Sequence, residues 1–352
     1  MRYGYLNKAD FKKFVEGLIK KQKVVAPVKK ENQFVFAQVE DASQVSLDYI
    51  PTILPPKKYF MPQHQKLGDF NMGEAKMSST QVDVEPLILF GVRTCDIEGI
   101  ECLDVALNDS PADPYFAKKK KSIIIIGYEC MKPCDEYATC VAMDTHVPKA
   151  GYDIMLTDAG DKYIVHINSM AGDKLIGKSP LFGKTTAELE GKIKAELKAL
   201  QEAKLKNFDN KLDAGYKELR RVFKDSYSSK FWQENVGKRC LSCGNCTAVC
   251  PTCYCFDIYD TVTLDVTKGT RNRVWDSCQL EEFAEVAGGE SFREERSARQ
   301  RHRYHRKFDY SVKKYNKFFC VGCGRCTRTC MAKISLIDTV NELTKEHKDA
   351  KK

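Results

Sequence analysis

The sequence predicts an α/β N-terminal domain followed by an all-α domain built on cysteine-rich loops. Three observations carry that prediction: two continuous apolar runs flanking a stretch of helical periodicity, a Lys/Glu/Ala/Leu-rich segment beyond residue 185, and two matched cysteine runs near the C-terminus. The 352 residues suggest two or three domains, and 43% hydrophobic residues suffice for a core in each. The expected division is 1–184 as the α/β domain, 185–231 as a helical connector, 232–345 as the helical domain and 346–352 as a charged tail.

Within residues 7–21, Phe11, Phe14, Val15, Leu18 and Ile19 recur at helical spacing, the mark of an amphipathic helix whose task is packing. Residues 24–28 and 34–39 are β-rich. The proline-rich stretch 50–62 excludes regular structure and is expected to be an ordered crossing loop. Residues 87–90 and 123–126 are continuous apolar runs bounded by Gly91 and Gly127, as in strands buried on both faces. Residues 97–107 between them have helical periodicity, so a parallel strand–helix–strand unit is expected over roughly residues 80–130. Residues 154–156 and 163–167 add a hairpin-like pair. From residue 185 to about residue 219 the composition is that of an exposed helical connector, and the cysteine-rich domain begins near Trp232.

Cys240, Cys243, Cys246 and Cys250 precede Pro251, and Cys320, Cys323, Cys326 and Cys330 precede Met331. Both runs read C-x2-C-x2-C-x3-C, the spacing in which three thiolates of one tight loop hold a 4Fe–4S cube and the fourth cysteine serves the other cluster. The expected ligand sets are therefore Cys240, Cys243, Cys246 and Cys330 for one cube, and Cys320, Cys323, Cys326 and Cys250 for the other. Gly244, Gly322 and Gly324 stand where the backbone is expected to hug each cube. Zinc also takes four thiolates, but its sites usually show two C-x2-C pairs and not two matched sets of four. About seventy residues separate the runs, far more than a small two-cluster ferredoxin uses, so a helical ferredoxin-like domain with a large insert is expected.

The α/β half has five cysteines of its own. Cys95 lies just beyond one apolar run, and Cys130, Cys134 and Cys140 lie just after the other, where a parallel sheet collects its sites. These four are expected to converge on a third cluster. Inert buried cysteine is the competing reading, and their density favours metal. With no apolar N-terminal stretch and no run of roughly eighteen apolar residues, the sixteen cysteines point to a reducing cytoplasmic compartment, without a membrane span, in which thiols serve metal. An anaerobic, low-potential setting is expected because exposed cubes suffer in oxygen.

The formal charge of +9 resembles a nucleic-acid footprint until the clusters are counted. Each oxidised cube with its thiolates carries about −2, and three would leave roughly +3. The basic stretch from Arg293 to Lys307 is therefore expected to neutralise cluster charge or meet a partner's acids, not nucleic acid. Gly172 to Ser179 spells G-x4-G-K-S, but bulky Leu175 and Ile176 and the following Pro180 argue against a phosphate loop. A G-x-G-x-x-G fingerprint is absent, so neither flavin nor nicotinamide is expected in this chain. No catalytic triad order or H-E-x-x-H is present, and the chemistry implied is one-electron transfer. The rival readings are an enzyme with its own site in the α/β domain and a zinc-binding nucleic-acid module.

Four segments together resemble one family: 86–97 around Cys95 and Asp96, 240–255 with its run of six cysteines, 271–278 ending in Cys278, and 320–326. It is the iron–sulfur electron-transfer family whose members include the iron–sulfur subunit of anaerobic sulfite reductase and the beta subunit of cytoplasmic nickel–iron sulfhydrogenases. The resemblance spans about residues 86–340 and implies a relay between a catalytic redox subunit and a flavin-bearing NAD(P)H reductase-type subunit. The chain departs from the family pattern where a C-F-C segment is usual. It has Ala138-Thr139-Cys140 there, so Cys134 must replace the missing thiol. Met331 replaces a proline, which alters the turn more than the ligation. Cys253, Cys255 and Cys278 match the family, yet spacing gives them no ligand role; packing is their expected use, and Cys102 is likewise left without a role.

Overall fold

Apolar runs in the first half of the chain build one seven-stranded sheet in this computed structural model, which describes residues 2–80, 84–177, 179–182 and 186–351. In chain order its elements are β1 (Arg2–Asn7), α1 (Phe11–Ile19), β2 (Lys23–Lys30) and β3 (Gln33–Val39), then β4 (His64–Asn71) and β5 (Lys76–Ser79), which leave for a second sheet. They continue with β6 (Leu87–Arg93), α2 (Thr94–Leu107), α3 (Pro114–Ser122), β7 (Ile123–Tyr128), β8 (Ile154–Asp158), β9 (Lys162–Ile167), α4 (Met170–Ile176) and α5 (Ala187–Leu205). The strand order is β1-β9-β8-β7-β6-β2-β3. Strands β2, β6, β7 and β8 run parallel at its centre, and antiparallel pairs close both edges.

Period-two alternation divides the central strands between two cores. Ile88 and Phe90 of β6 pack with Phe14, Val15 and Leu18 of α1, while Leu89 meets Ile97, Ile100 and Leu103 of α2 on the other face. The parallel unit expected between residues 80 and 130 is β6–α2–α3–β7. Strand β6 does not stop at Gly91, however. A bulge there, with Gly91 at φ +71°, carries the strand on to Arg93 and delivers Cys95 into the first turn of α2. Residues 50–62 form the crossing segment, with one short 3-10 turn at Pro56–Tyr59. The G-x4-G-K-S segment is helix from Met170 to Ile176, capped by the Ser169 hydroxyl, where a phosphate loop needs open backbone N–H groups. Lys178 of that motif lies outside the described residues.

The second half of the chain is not all-α. After α6 (Tyr216–Asp225), a π-helical turn (Trp232–Gly237) and α7 (Asn245–Ala248) comes a β-hairpin, β10 (Phe256–Val262) with β11 (Lys268–Trp275). Strand β11 pairs with β4, giving a four-stranded sheet β10-β11-β4-β5 that joins the two halves of the chain. Strand β10 is exposed along its whole length, so it shows none of the apolar alternation that betrays a strand. Helices α8 (Arg296–Phe308), α9 (Tyr310–Tyr315), α10 (Arg325–Arg328) and α11 (Leu336–Asp349) complete the chain. Their core contains Leu219, Phe223, Trp232, Tyr304, Phe308, Val340 and Leu343, with the rings of Phe223 and Phe308 stacked 4.4 Å apart. Among the described residues no helix is long and apolar enough to cross a membrane.

The sheet edge and the second cysteine loop are locked together by charge. Arg325 donates to both carboxylate oxygens of Asp96 at 2.6 and 2.8 Å and to the Thr52 carbonyl at 2.6 Å, and both charged side chains are wholly buried. The amide of Thr139 donates to the Gly322 carbonyl at 2.8 Å, and the Thr145 hydroxyl to that of Val321 at 2.7 Å. Removing one partner of such a pair strands the other charge in a dry site. Asp96→Ala is therefore expected to cost about 3–5 kcal/mol of stability in chemical denaturation, and Asp96→Leu with Arg325→Met to recover much of it.

Candidate metal centres

Each cysteine run folds into a tight loop that ends in a four-residue helix, α7 or α10, and each helix is entered from a left-handed glycine, Gly244 at φ +75° and Gly324 at +71°. A third, Gly322, has φ +66°. What demands their small size is neighbouring protein and not only the cavity each loop encloses. A Cβ on Gly322 would fall 2.5 Å from the Thr139 carbonyl carbon and the Cys140 amide, and one on Gly324 would fall 2.8 Å from the Tyr137 Cβ. The second loop is thus pressed against residues 137–140.

The two loops enclose two small cavities of equal size, about 30 Å³ each. Cys240, Cys243, Cys246 and Cys330 line the first; Cys250, Cys320 and Cys323 line the second; Cys326 lines both. Sulfur in the first cavity accepts from nearby N–H groups. Cys240 Sγ receives the Ser242 amide at 3.3 Å and Gln300 Nε2 at 3.0 Å, and Cys330 Sγ receives the Ile334 amide at 3.3 Å. Burial pushes the Cys246 thiol up to about 12 and the Cys323 thiol up to about 11, so a thiolate at either position requires a cation close by.

Arg325 supplies such a cation at Cys323, and Arg303 of α8 at Cys246. Arg303 lines both cavities, is 5% exposed, and its Nε has no hydrogen-bond partner. Among the described residues it is paired with no carboxylate; the thiols of Cys246 and Cys326 are the first charges it faces. Arg299 and Lys307 of the same helix are also buried, so one face of this basic stretch lies in the interior. Clustered thiols, N–H groups directed at sulfur, and buried positive charge without acids together fit a 4Fe–4S group.

The α/β cysteines gather at the C-terminal edge of β6 and β7. A hydrogen bond from the Cys134 thiol lowers the Cys130 thiol well below its usual range, and Arg93, 3.9 Å from Cys130 Sγ, acts in the same direction against burial. Cys140 is within electrostatic reach of Cys130, and Cys95 of both Cys130 and Cys323. Beside them opens a cleft of about 770 Å³ lined by Tyr49, Arg93, Tyr128, Lys132, Cys134 and Asp158. The Arg93 guanidinium lies between two rings in that cleft, 4.4 Å from the centre of Tyr49 and 5.2 Å from that of Tyr128. Cys102 is buried elsewhere on α2, its sulfur 3.6 Å from the Phe318 carbonyl. Cys253, Cys255 and Cys278, which spacing alone left unassigned, line one further cleft together.

Residues 239–334 match the family described as the 4Fe-4S dicluster domain. Over 347 residues the chain is 35% identical to sulfhydrogenase 2 subunit beta of Pyrococcus furiosus, a match that covers 97% of this chain and 98% of that protein. No solved structure matched. The position of Arg303 has a measurable consequence. Clusters bound in the two cavities would have their reduced forms favoured by this positive charge, so Arg303→Met should lower the midpoint potentials by on the order of tens of millivolts in an EPR-monitored redox titration.

Proposed function

Because the chain belongs to the sulfhydrogenase beta-subunit family of iron–sulfur electron-transfer subunits, we propose that it relays single electrons between a catalytic redox subunit and a flavin-containing NAD(P)H reductase-type subunit. The catalytic partner is of the hydrogenase, sulfite reductase or heterodisulfide reductase class, and the complex is cytoplasmic. Two cavities of equal size, lined crosswise by the two cysteine runs and sharing Arg303, are the observation that carries this reading. Cys240, Cys243, Cys246 and Cys330 hold one 4Fe–4S cluster; Cys250, Cys320, Cys323 and Cys326 hold the other; Cys95, Cys130, Cys134 and Cys140 hold a third. When bound, such cubes accept and release one electron at a time.

The chain's own residues orient, shield and charge-balance these sites. Amides of Ser242 and Ile334 donate to ligand sulfur, Arg303 offsets negative charge between the paired cavities, and Tyr304 and Phe319 wall them from water. The cleft between Tyr49, Arg93 and Tyr128 is the docking platform for the flavoprotein, beside the third thiol set. Cys243 is exposed and Leu241 stands 60% exposed, a surface from which electrons would leave for the catalytic partner. Burial of Arg299, Arg303 and Lys307 inside α8 favours this relay over a nucleic-acid module, which needs its basic groups at the surface.

Crosswise ligation has a spectroscopic test. Cys250→Ser and Cys320→Ser should perturb the same EPR component, and Cys243→Ser a different one. Loss of the Cys243 component in Cys250→Ser would mean that each run closes on itself. The relay itself is tested by anaerobic mixing of the purified, iron-loaded chain with NADH or NADPH. No bleaching of the cluster absorbance is expected until a flavoprotein partner is added, since nicotinamides deliver two electrons as hydride. Bleaching without flavin would place the nicotinamide site in this chain and replace the relay with an enzyme.

A further inference from the structure

Beyond Cys250 the chain does not leave the metal region. Thr252 and Cys253 are buried, Cys255 leads into β10, and the hairpin returns through β11 so that the Asp276 amide donates to the Cys255 carbonyl at 3.1 Å. This closure sets the thiols of Cys255 and Cys278 in hydrogen-bonding contact. Cys253, Cys255, Cys278 and His302 of α8 line one cleft of about 330 Å³. Spacing alone hides this group, because the hairpin over residues 256–275 separates Cys278 from the other two thiols.

The charges around the cleft repeat the pattern of the two ferredoxin cavities. Lys307 Nζ donates to Cys253 Sγ at 3.2 Å and to the Thr252 hydroxyl at 2.6 Å. Lys57 Nζ donates to the Cys253 carbonyl at 2.9 Å and lies 4.2 Å from the centre of the Trp275 ring. Both ammonium groups are buried, and among the described residues neither is paired with a carboxylate. Buried cations need a counter-charge, and sulfur is what faces them. Gln279 Nε2 adds an N–H directed at Cys278 Sγ at 3.4 Å. Tyr254, Phe256, Phe283 and Phe319 supply apolar walls.

We propose that Cys253, Cys255 and Cys278, with His302 as the fourth donor, hold a further 4Fe–4S cluster beside the one at Cys250. This rests on the reading of the chain as an iron–sulfur subunit and adds a site to it. Three thiolates with an imidazole are a sulfur and nitrogen donor set suited to iron. An imidazole in place of a fourth thiolate leaves the site less negative, which raises its potential relative to an all-cysteine cube.

The test uses the full chain, reconstituted anaerobically with ferrous iron and sulfide, with iron, acid-labile sulfide and EPR measured on each variant. Cys255→Ser with Cys278→Ser is expected to lose about four irons and one EPR component, and to keep the components perturbed by Cys243→Ser and Cys320→Ser. His302→Cys is expected to keep the iron content and to shift the g values and potential of that one component. A folded double variant with undiminished iron overturns the proposal. So does an intact iron content accompanied by reversible loss of two thiols on oxidation, which would make Cys255 and Cys278 a disulfide pair. Should the double variant not fold, an unchanged spectrum in His302→Cys overturns the proposal by itself. Failure of the underlying reading looks different: the wild-type chain would then hold fewer than about eight irons.

Discussion

Arg325 and Asp96 form a fully buried, two-pronged pair, and each has a cysteine beside it in sequence, Cys95 before the aspartate and Cys326 after the arginine. Neither charge is stable there alone, so the first turn of α2 and the second cysteine loop must stay in register. The sheet edge, the loop and the crossing segment at Thr52 are thereby one rigid piece. The positions of the thiols around Cys95 and Cys323 follow from that contact together with the hydrogen bonds of Thr139 and Thr145 to the same loop. Replacing the ion pair by well-packed apolar side chains need not destabilise the fold, and its retention is explained by the geometry that it specifies.

Around this piece the interior carries an excess of positive charge. Arg303, Lys307 and Lys57 are buried without carboxylate partners among the described residues, and sulfur is the counter-charge available to each. The sign is physically required, because a cube with four thiolates is an anion in a low-dielectric site. A carboxylate near these cations would neutralise them and leave the sulfur charge uncompensated. Much of the basic stretch of α8 is thus an internal requirement, and the formal charge of +9 overstates the charge that a partner meets.

The sequence made the central sheet legible because its strands are buried on both faces, so Leu87 to Phe90 and Ile123 to Ile126 are unbroken apolar runs. It also grouped the cysteine runs, since ligand spacing is a local property of a loop. What escaped is non-local. Strand β10 is exposed at every residue, and β11 finds its partner β4 some two hundred positions earlier, so no window of sequence records the second sheet. Strand β1, six residues of mixed character, owes its place to pairing with β9. Cys253, Cys255 and Cys278 were unreadable for the same reason, because the hairpin that unites two of them with the third could not be read from its polar face.

The turn after Cys250 also brings neighbouring thiol sets into contact. Cys250 lines the second ferredoxin cavity and Cys253, three residues later, lines the adjoining cleft, with the two thiols in hydrogen-bonding contact. Thr252 fixes that turn. Its hydroxyl donates to the Phe319 carbonyl at 2.5 Å, accepts from Lys307, and lies 3.2 Å from Cys250 Sγ. A shift of this residue would move sulfur in both compartments together. The proposed relay therefore depends on a short turn with two buried charged supports, Lys57 on the Cys253 carbonyl and Lys307, held by the helix that also carries Arg303. The helix rigidly spaces Lys307 and Arg303, and through them the sulfur sets that each one faces.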